Sequence, residues 1–169
     1  LEAVTDIQGD RYARALSISG DGLKIYSFGE MITLWSKDGD GLSYVSGIAG
    51  SYFEGVCVSN DGSLVYLLAN NGYSINIFQI SGTSISLIHE IASSFRISKS
   101  ALSTDGNFLY GFGGHPDPTM IVYKKDGTSL DSVTTLSENS YSGIRFMDVS
   151  LDNQFLYAVS KDDNTLKVF

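Results

Sequence analysis

Cysteine, proline and basic residues are scarce in this chain of 169 residues, and each shortage excludes a class of protein. The single cysteine, Cys57, cannot form an intrachain disulfide, so the fold is not a disulfide scaffold. Lys and Arg number 11 against 19 Asp and Glu, which gives a net charge of −8. Without a basic stripe, nucleic acid is not an expected partner. No apolar run approaches the roughly 20 residues of a membrane span.

Motifs of common active sites are also missing. The chain has no phosphate-binding loop, no Gly-x-Ser-x-Gly elbow and no Cys-x-x-Cys pair. Two acidic stretches, 38–41 and 162–164, contain fragments of a calcium-binding loop without its full set of oxygen ligands. We interpret both stretches as turns, and we expect no metal and no cofactor.

One short segment recurs four times along the chain. It contains Ser, any residue, Asp, usually Gly, and then a run that ends in Tyr; the copies are 19–26, 59–66, 103–110 and 150–157. The aspartates are spaced by 40 (61 minus 21), 44 (105 minus 61) and 47 (152 minus 105) residues. A period of that length is typical of one four-stranded blade of a β-propeller.

Each repeat contains four strand-like segments, here lettered A to D in chain order. Strand A precedes the Asp-Gly pair and strand B follows it. This pair predicts a tight hairpin turn between the two strands, because glycine accepts the positive φ that the turn requires. Val, Ile, Tyr and Phe fill the segments, and none of them keeps a helical period. The sequence therefore predicts an all-β fold, a β-propeller forming a single domain over residues 1–169.

The predicted blade units are approximately 8–48, 49–91, 92–136 and 137–169 together with 1–7. The last unit has no D strand at its end, and a segment of matching spacing occurs at 1–7. This arrangement predicts four blades of four antiparallel strands, with the ring closed by the N-terminal strand. Two alternatives stay open. The chain is part of a larger seven- or eight-bladed propeller, or residues 1–7 pair with a neighbouring molecule and mediate self-assembly.

Two sets of residues recur at fixed places in the repeat and are predicted to lie between blades. The first set comes from strand A, three positions before the aspartate: Ile18, Val58, Leu102 and Val149. The second set is the aromatic residue of strand C: Trp35, Phe78, Tyr123 and Phe169.

Charged residues in the loops before strand A indicate a candidate ligand site. Seven positions before each aspartate lie Arg14, Glu54, Ser98 and Arg145. Such loops meet at one mouth of the central channel, where arginines bind anionic sugars or carboxylates. Asp148, on strand A, would face the channel. The predicted ligand-binding residues are Arg14, Glu54, Arg145 and Asp148, and no catalytic residue is assigned. Ion pairs between adjacent blades are the competing interpretation, and Cys57 is interpreted as a packed structural thiol.

The closest match to a known repeat lies in residues 149–169. The run Leu156-Tyr157-Ala158-Val159-Ser160 followed by Asn164-Thr165-Leu166-Lys167-Val168-Phe169 resembles the repeat of YVTN and lactonase-like propellers. This family is similar to WD-repeat propellers in architecture. The resemblance implies a propeller fold and, in some members, hydrolysis of a lactone. Members usually have about seven blades, so four is a departure.

Two functions are consistent with these features. The first is a non-catalytic module for protein interaction or structural assembly, with a protein partner or with self-assembly through the N-terminal strand. The second is a lactonase-like hydrolase of a small anionic sugar lactone at the channel mouth. The sequence favours the non-enzymatic function, in an extracellular or periplasmic location.

Overall fold

The computed structural model describes residues 15–39, 41–49, 55–113, 118–137 and 142–169, apart from the side chain of residue 70. In these ranges the chain forms fifteen β-strands and one short 3₁₀ turn, Asn70–Gly72. The predicted all-β fold is confirmed. No helix in the described part of the chain is long and apolar enough to cross a lipid bilayer.

Four antiparallel sheets follow one another along the chain and form the four blades of a β-propeller. Blade 1 contains β1 (Ala15–Ile18), β2 (Lys24–Phe28), β3 (Met31–Asp38) and β4 (Gly41–Ala49). Blade 2 contains β5 (Val56–Val58), β6 (Leu64–Ala69), β7 (Ser74–Ser81) and β8 (Ser84–Ala92). Blade 3 contains β9 (Ile97–Leu102), β10 (Phe108–Gly113), β11 (Thr119–Asp126) and β12 (Ser129–Ser137). Blade 4 contains β13 (Ile144–Val149), β14 (Leu156–Ser160) and β15 (Thr165–Val168). Each strand pairs with its neighbours in chain order.

The first two strands of every blade are joined by the turn that the repeat predicts. Gly22, Gly62 and Gly106 have φ values of 71°, 64° and 71° in the first three blades. Asn153 takes the same place in blade 4 with a φ of 58°. Asparagine tolerates this region better than most residues with a side chain, so the turn survives without glycine.

The third and fourth strands of blades 1 to 3 share one irregularity. Their register shifts immediately before Trp35, Phe78 and Tyr123. A bulge of this kind increases the local twist and redirects the following side chain. All three aromatic residues are buried, as predicted.

Apolar side chains fill the spaces between successive blades. The first cluster combines Phe28 and Leu34 of blade 1 with Val58, Val65 and Leu67 of blade 2. Similar clusters join blade 2 to blade 3 and blade 3 to blade 4. Because each fully buried aliphatic or aromatic side chain stabilises the fold by roughly 1.5–3 kcal/mol, these junctions hold the blades together.

Two residues predicted to lie in the core are exposed. Ile18 is 51% exposed and Phe169 is 36% exposed, whereas Val58 and Val149 are buried as predicted. The prediction for Ile18 is wrong because this side chain lies on the side of blade 1 that faces away from blade 2. Phe169 contacts Phe112, with ring centroids 5.8 Å apart, but in the described residues no fourth strand of blade 4 covers it.

Residues 1–7, which were predicted to close the ring, lie outside the described residues. The innermost strands β1, β5, β9 and β13 contact one another in that order. Within the described ranges, β1 and β13 make no comparable contact. The side of blade 4 that faces away from blade 3 and the side of blade 1 that faces away from blade 2 are therefore the two ends of the described arc.

Candidate functional site

The repeated turn forms the same hydrogen-bond network in every blade. In blade 2, Ser59 Oγ donates to Asp61 Oδ1 at 2.6 Å and accepts from the Leu64 N–H at 2.9 Å. Asp61 Oδ1 also accepts from the Ser63 N–H at 3.0 Å. The equivalent serine-to-aspartate bonds are Ser19 to Asp21, Ser103 to Asp105 and Ser150 to Asp152.

These hydrogen bonds stabilise the charged form of each carboxyl. The bonds from Ser59 and from the Ser63 N–H lower the pKa of Asp61 to about 2. The hydrogen bond from Ser19, Ser103 or Ser150 likewise lowers the pKa of its aspartate. Each of the four carboxylates is therefore already hydrogen-bonded within its own turn. Among the described residues, no group of three or more His, Cys, Asp or Glu side chains could hold a metal ion.

Cys57 lies on the innermost strand of blade 2 and is buried. Its Sγ donates to Ser100 Oγ at 3.4 Å. Burial raises the pKa of the thiol to about 11, against the smaller opposing effect of the Ser100 hydrogen bond. Because the thiolate is the nucleophilic form, a thiol that stays protonated at neutral pH has a packing role.

Two of the four predicted ligand-binding residues, Arg14 and Glu54, lie outside the described residues. The other two, Arg145 and Asp148, are exposed on β13. Arg145 lies at a register shift between β13 and β14. Asp148 Oδ1 accepts a hydrogen bond from the Val149 N–H at 2.9 Å.

Two side chains near the start of β9 donate hydrogen bonds to backbone carbonyls. Arg96 Nε donates to the Asn71 carbonyl at 3.0 Å and so joins the loop before β9 to a loop of blade 2. Ser98, at the position equivalent to Arg145, donates from Oγ to the Phe112 carbonyl at 3.2 Å. Both contacts position backbone.

A cleft of about 240 Å³ opens between blades 3 and 4. This volume is below the range usual for small-molecule sites. The lining is mostly apolar and consists of Tyr110, Met120, Val149, Asn153, Gln154, Phe155, Leu156 and Phe169.

Among the described residues, one side of blade 4 exposes apolar side chains whose equivalents in blade 2 are buried. In blade 2 the side chains directed to blade 3 include Ile75 and Ile77, which are both 0% exposed. The residues at the same register positions of blade 4 are Leu166 and Val168, which are 65% and 54% exposed. We call this surface the forward face of blade 4; it comprises Phe155, Tyr157, Val159, Leu166 and Val168.

The opposite end of the arc has a matching exposed surface. Ile18 is exposed, whereas Val58, at the equivalent position of blade 2, is 8% exposed and packs against blade 1. Leu16 on the same strand is also exposed. We call this surface the backward face of blade 1; it comprises Leu16, Ile18 and Ile25.

The predicted site residues did not include these two faces. A usable signal was present, because the first and last blades keep apolar residues at the repeat positions that face another blade elsewhere. Exposed apolar residues that cluster in this way are less common on a protein surface than single ones.

Comparison with known proteins identifies the fold. No protein-family model and no curated protein matches the chain. A candidate 6-phosphogluconolactonase from Bacteroides uniformis ATCC 8492 is similar, with a TM-score of 0.69 and 20% identity over 89% of this chain and 48% of its own. A protein of unknown function from Desulfotomaculum acetoxidans DSM 771 has a TM-score of 0.78 and 18% identity, over 96% and 56%. A chain of the Mitotic Checkpoint Complex has a TM-score of 0.71 and 13% identity, over 90% and 47%.

These identities are low, so the similarity shows the fold alone. The chain spans about half the length of the solved structures that it matches. Propellers carry many unrelated activities, and the function has to be argued from the surfaces of this chain.

Proposed function

We propose that this protein is a non-catalytic propeller module that binds protein through the exposed faces of its end blades. The observation that carries the proposal is the forward face of blade 4. Five large apolar side chains there are at least partly exposed; four lie on the adjacent strands β14 and β15, and Phe155 immediately precedes β14. Clustered apolar residues of this kind mark interaction surfaces, whereas single exposed ones are ordinary.

The chemistry of this face suits a protein partner. It contains two aromatic residues, Phe155 and Tyr157, which supply large contact areas at interfaces. The aliphatic residues beside them match the interior of a blade junction. One of the propellers with a similar fold belongs, by its name, to a multi-protein complex, which is consistent with this use of the architecture.

Photo-crosslinking tests the proposed function without assuming a partner. A benzophenone amino acid replaces Phe155, and crosslinked peptides are identified by mass spectrometry in expressing cells and in purified protein. We expect intermolecular adducts to a defined polypeptide segment, and their loss when Leu166→Glu is added. The matched control places the same probe at Val133, which is 57% exposed on β12 of blade 3. Equal adduct yields from Phe155 and Val133 would contradict the proposal.

Hydrolysis of a small anionic sugar lactone is the second candidate. It is favoured by the exposure of Arg145 and Asp148 on one innermost strand, where a cation and a carboxylate could serve binding and base roles. A pH-stat assay with gluconolactone and its 6-phosphate tests it. Turnover above the uncatalysed rate, lost in both Arg145→Ala and Asp148→Asn, would support hydrolysis. A rate equal to the buffer blank would remove this candidate.

A further inference from the structure

We propose that a second copy of this chain covers the end faces, so that two four-bladed arcs join into one eight-bladed ring. This proposal rests on the protein-binding function proposed above and names its partner. In the ring, the forward face of blade 4 of each copy packs against the backward face of blade 1 of the other.

The packing required already occurs three times within the chain. Every internal junction brings the forward side of one blade against the backward side of the next. Leu34 of blade 1 is the register equivalent of Val168, and it packs in the same cluster as Val58, the equivalent of Ile18. The new junction therefore places Val168 of one copy near Ile18 of the other, in an arrangement that the internal junctions already contain.

Polar contacts of the internal junctions can also be repeated. The Gly20 N–H donates to the Asn60 carbonyl at 2.8 Å, and Thr104 Oγ1 donates to the Leu151 carbonyl at 3.0 Å. Leu151 holds the same turn position in blade 4 and is 91% exposed. In the ring its N–H would meet the Gly20 carbonyl of the second copy.

A tyrosine makes the second repeatable contact. Tyr26 Oη donates to the Gly62 carbonyl of the next blade at 2.8 Å. Tyr157 holds the equivalent position in blade 4 and is partly exposed. The Gly22 carbonyl of a second copy is its matching acceptor.

Symmetry and chain length favour a closed pair. A two-fold axis along the channel applies the same junction twice and covers both end faces of both copies, leaving neither exposed. Two copies supply eight blades. The similar solved propellers are about twice the length of this chain, of which it covers 48% and 56% in two cases. Two such arcs together therefore match the length of these propellers.

Complementary charges provide the test. Val168→Asp and Ile18→Lys each place an unpaired charge in both junctions of a homodimer, and each should weaken dimerisation at least about tenfold. In a mixed dimer, one junction contains Asp opposite Lys and the other is unchanged. Sedimentation velocity should therefore show a dimer of the unaltered protein, weakened dimers of each variant, and a 1:1 dimer when the variants are mixed. Val133→Asp is the matched control and should dimerise normally.

Each other result overturns the proposal in a distinguishable way. Normal dimerisation of Ile18→Lys would show that blade 4 pairs with blade 4. Growth beyond two copies would show an open chain of arcs. A monomer at every concentration would exclude the second copy. The proposed function would then be supported if the Phe155 probe captures a different protein and contradicted if it captures none. Circular dichroism establishes that each variant is folded, which is expected because both substituted positions are exposed in the single arc.

Discussion

At the scale of single residues, the serine of the repeated turn has a hydrogen-bonding role that its place in the motif did not predict. Ser59 Oγ links the Asp61 carboxylate to the first N–H of the following strand. The Asp-Gly pair predicted the turn because of backbone conformation alone. The role of the serine depends on a side-chain network that no periodicity reveals.

The first prediction concerns acid stability. Asp61→Asn should lower the free energy of unfolding by about 1 kcal/mol at pH 7, because a charged acceptor of hydrogen bonds from Ser59 Oγ, the Ser63 N–H and Ser63 Oγ becomes neutral. The folded pKa of Asp61 is about 2, below the ordinary value of an aspartate, so its contribution is complete above about pH 4 and is lost as the pH falls through about 2. Urea unfolding at pH 7, 4 and 2.5 should show the difference between the two proteins shrinking with acid. Asp126→Asn, at an exposed hairpin end, is the control. A difference that does not depend on pH would contradict this origin.

Two equivalent tyrosines lead to the second prediction. Tyr26 Oη donates to the Gly62 carbonyl, whereas the buried Tyr66 Oη has no hydrogen-bond partner among the described residues. Burial raises the pKa of both hydroxyls to about 12, so both stay protonated. Tyr26→Phe should cost about 1 kcal/mol, and Tyr66→Phe should raise stability by about 1 kcal/mol, because an unpaired buried hydroxyl is unfavourable. Thermal and urea unfolding of the two variants decide the point. Equal losses in both would show that Tyr66 has a partner.

At the scale of strands and loops, the order and type of the elements were predictable from the sequence. The exposure of apolar side chains on the first and last blades was not. The Asp-Gly turns and β-branched runs define each hairpin locally, so the four blades follow from the repeat. Burial of Ile18 was predicted wrongly because burial depends on a neighbouring blade, which a single repeat does not contain. Arg145 was predicted in the loop before strand A but lies on β13 together with Asp148, while their grouping with Arg14 and Glu54 stays a prediction.

The loop between β6 and β7 carries the third prediction. Gly72 has a φ of 87°, and a Cβ atom there would lie 2.0 Å from the Ile97 carbonyl oxygen. Gly82, in the β7–β8 hairpin, has a φ of 59° but nothing within 4 Å of such an atom. Gly72→Ala should therefore cost about 2–4 kcal/mol, the sum of left-handed strain and overpacking, and Gly82→Ala about 1 kcal/mol. Chemical denaturation measures both. Similar costs would mean that the loop moves away from β9 without penalty.

At the scale of the whole molecule, stability should vary from blade to blade. Repeat architectures are stabilised by contacts between neighbours, so a blade with two neighbours is more stable than one at an end. All six side chains of β6, in blade 2, are buried, whereas β15 in blade 4 is largely exposed. The central blades thus form the stable part of the arc.

Amide hydrogen exchange provides the fourth prediction. In the Val168→Asp variant, at a concentration where it is monomeric, exchange should be slowest in β6 and fastest in β14 and β15. In the unaltered protein, β14 and β15 should gain protection with rising concentration as the second copy covers them. Uniform exchange across the blades in the variant would contradict a stability gradient.

The order of the strands has a consequence for synthesis on the ribosome. Every described strand pairs with the strand just before or after it, so a sheet needs only about 40 consecutive residues to form. A nascent chain can therefore complete one blade before the next has left the exit tunnel, and each finished blade offers a template face to its successor. Such stepwise growth keeps the search for contacts local, which favours fast folding and limits the time that strand edges stay open to misassembly.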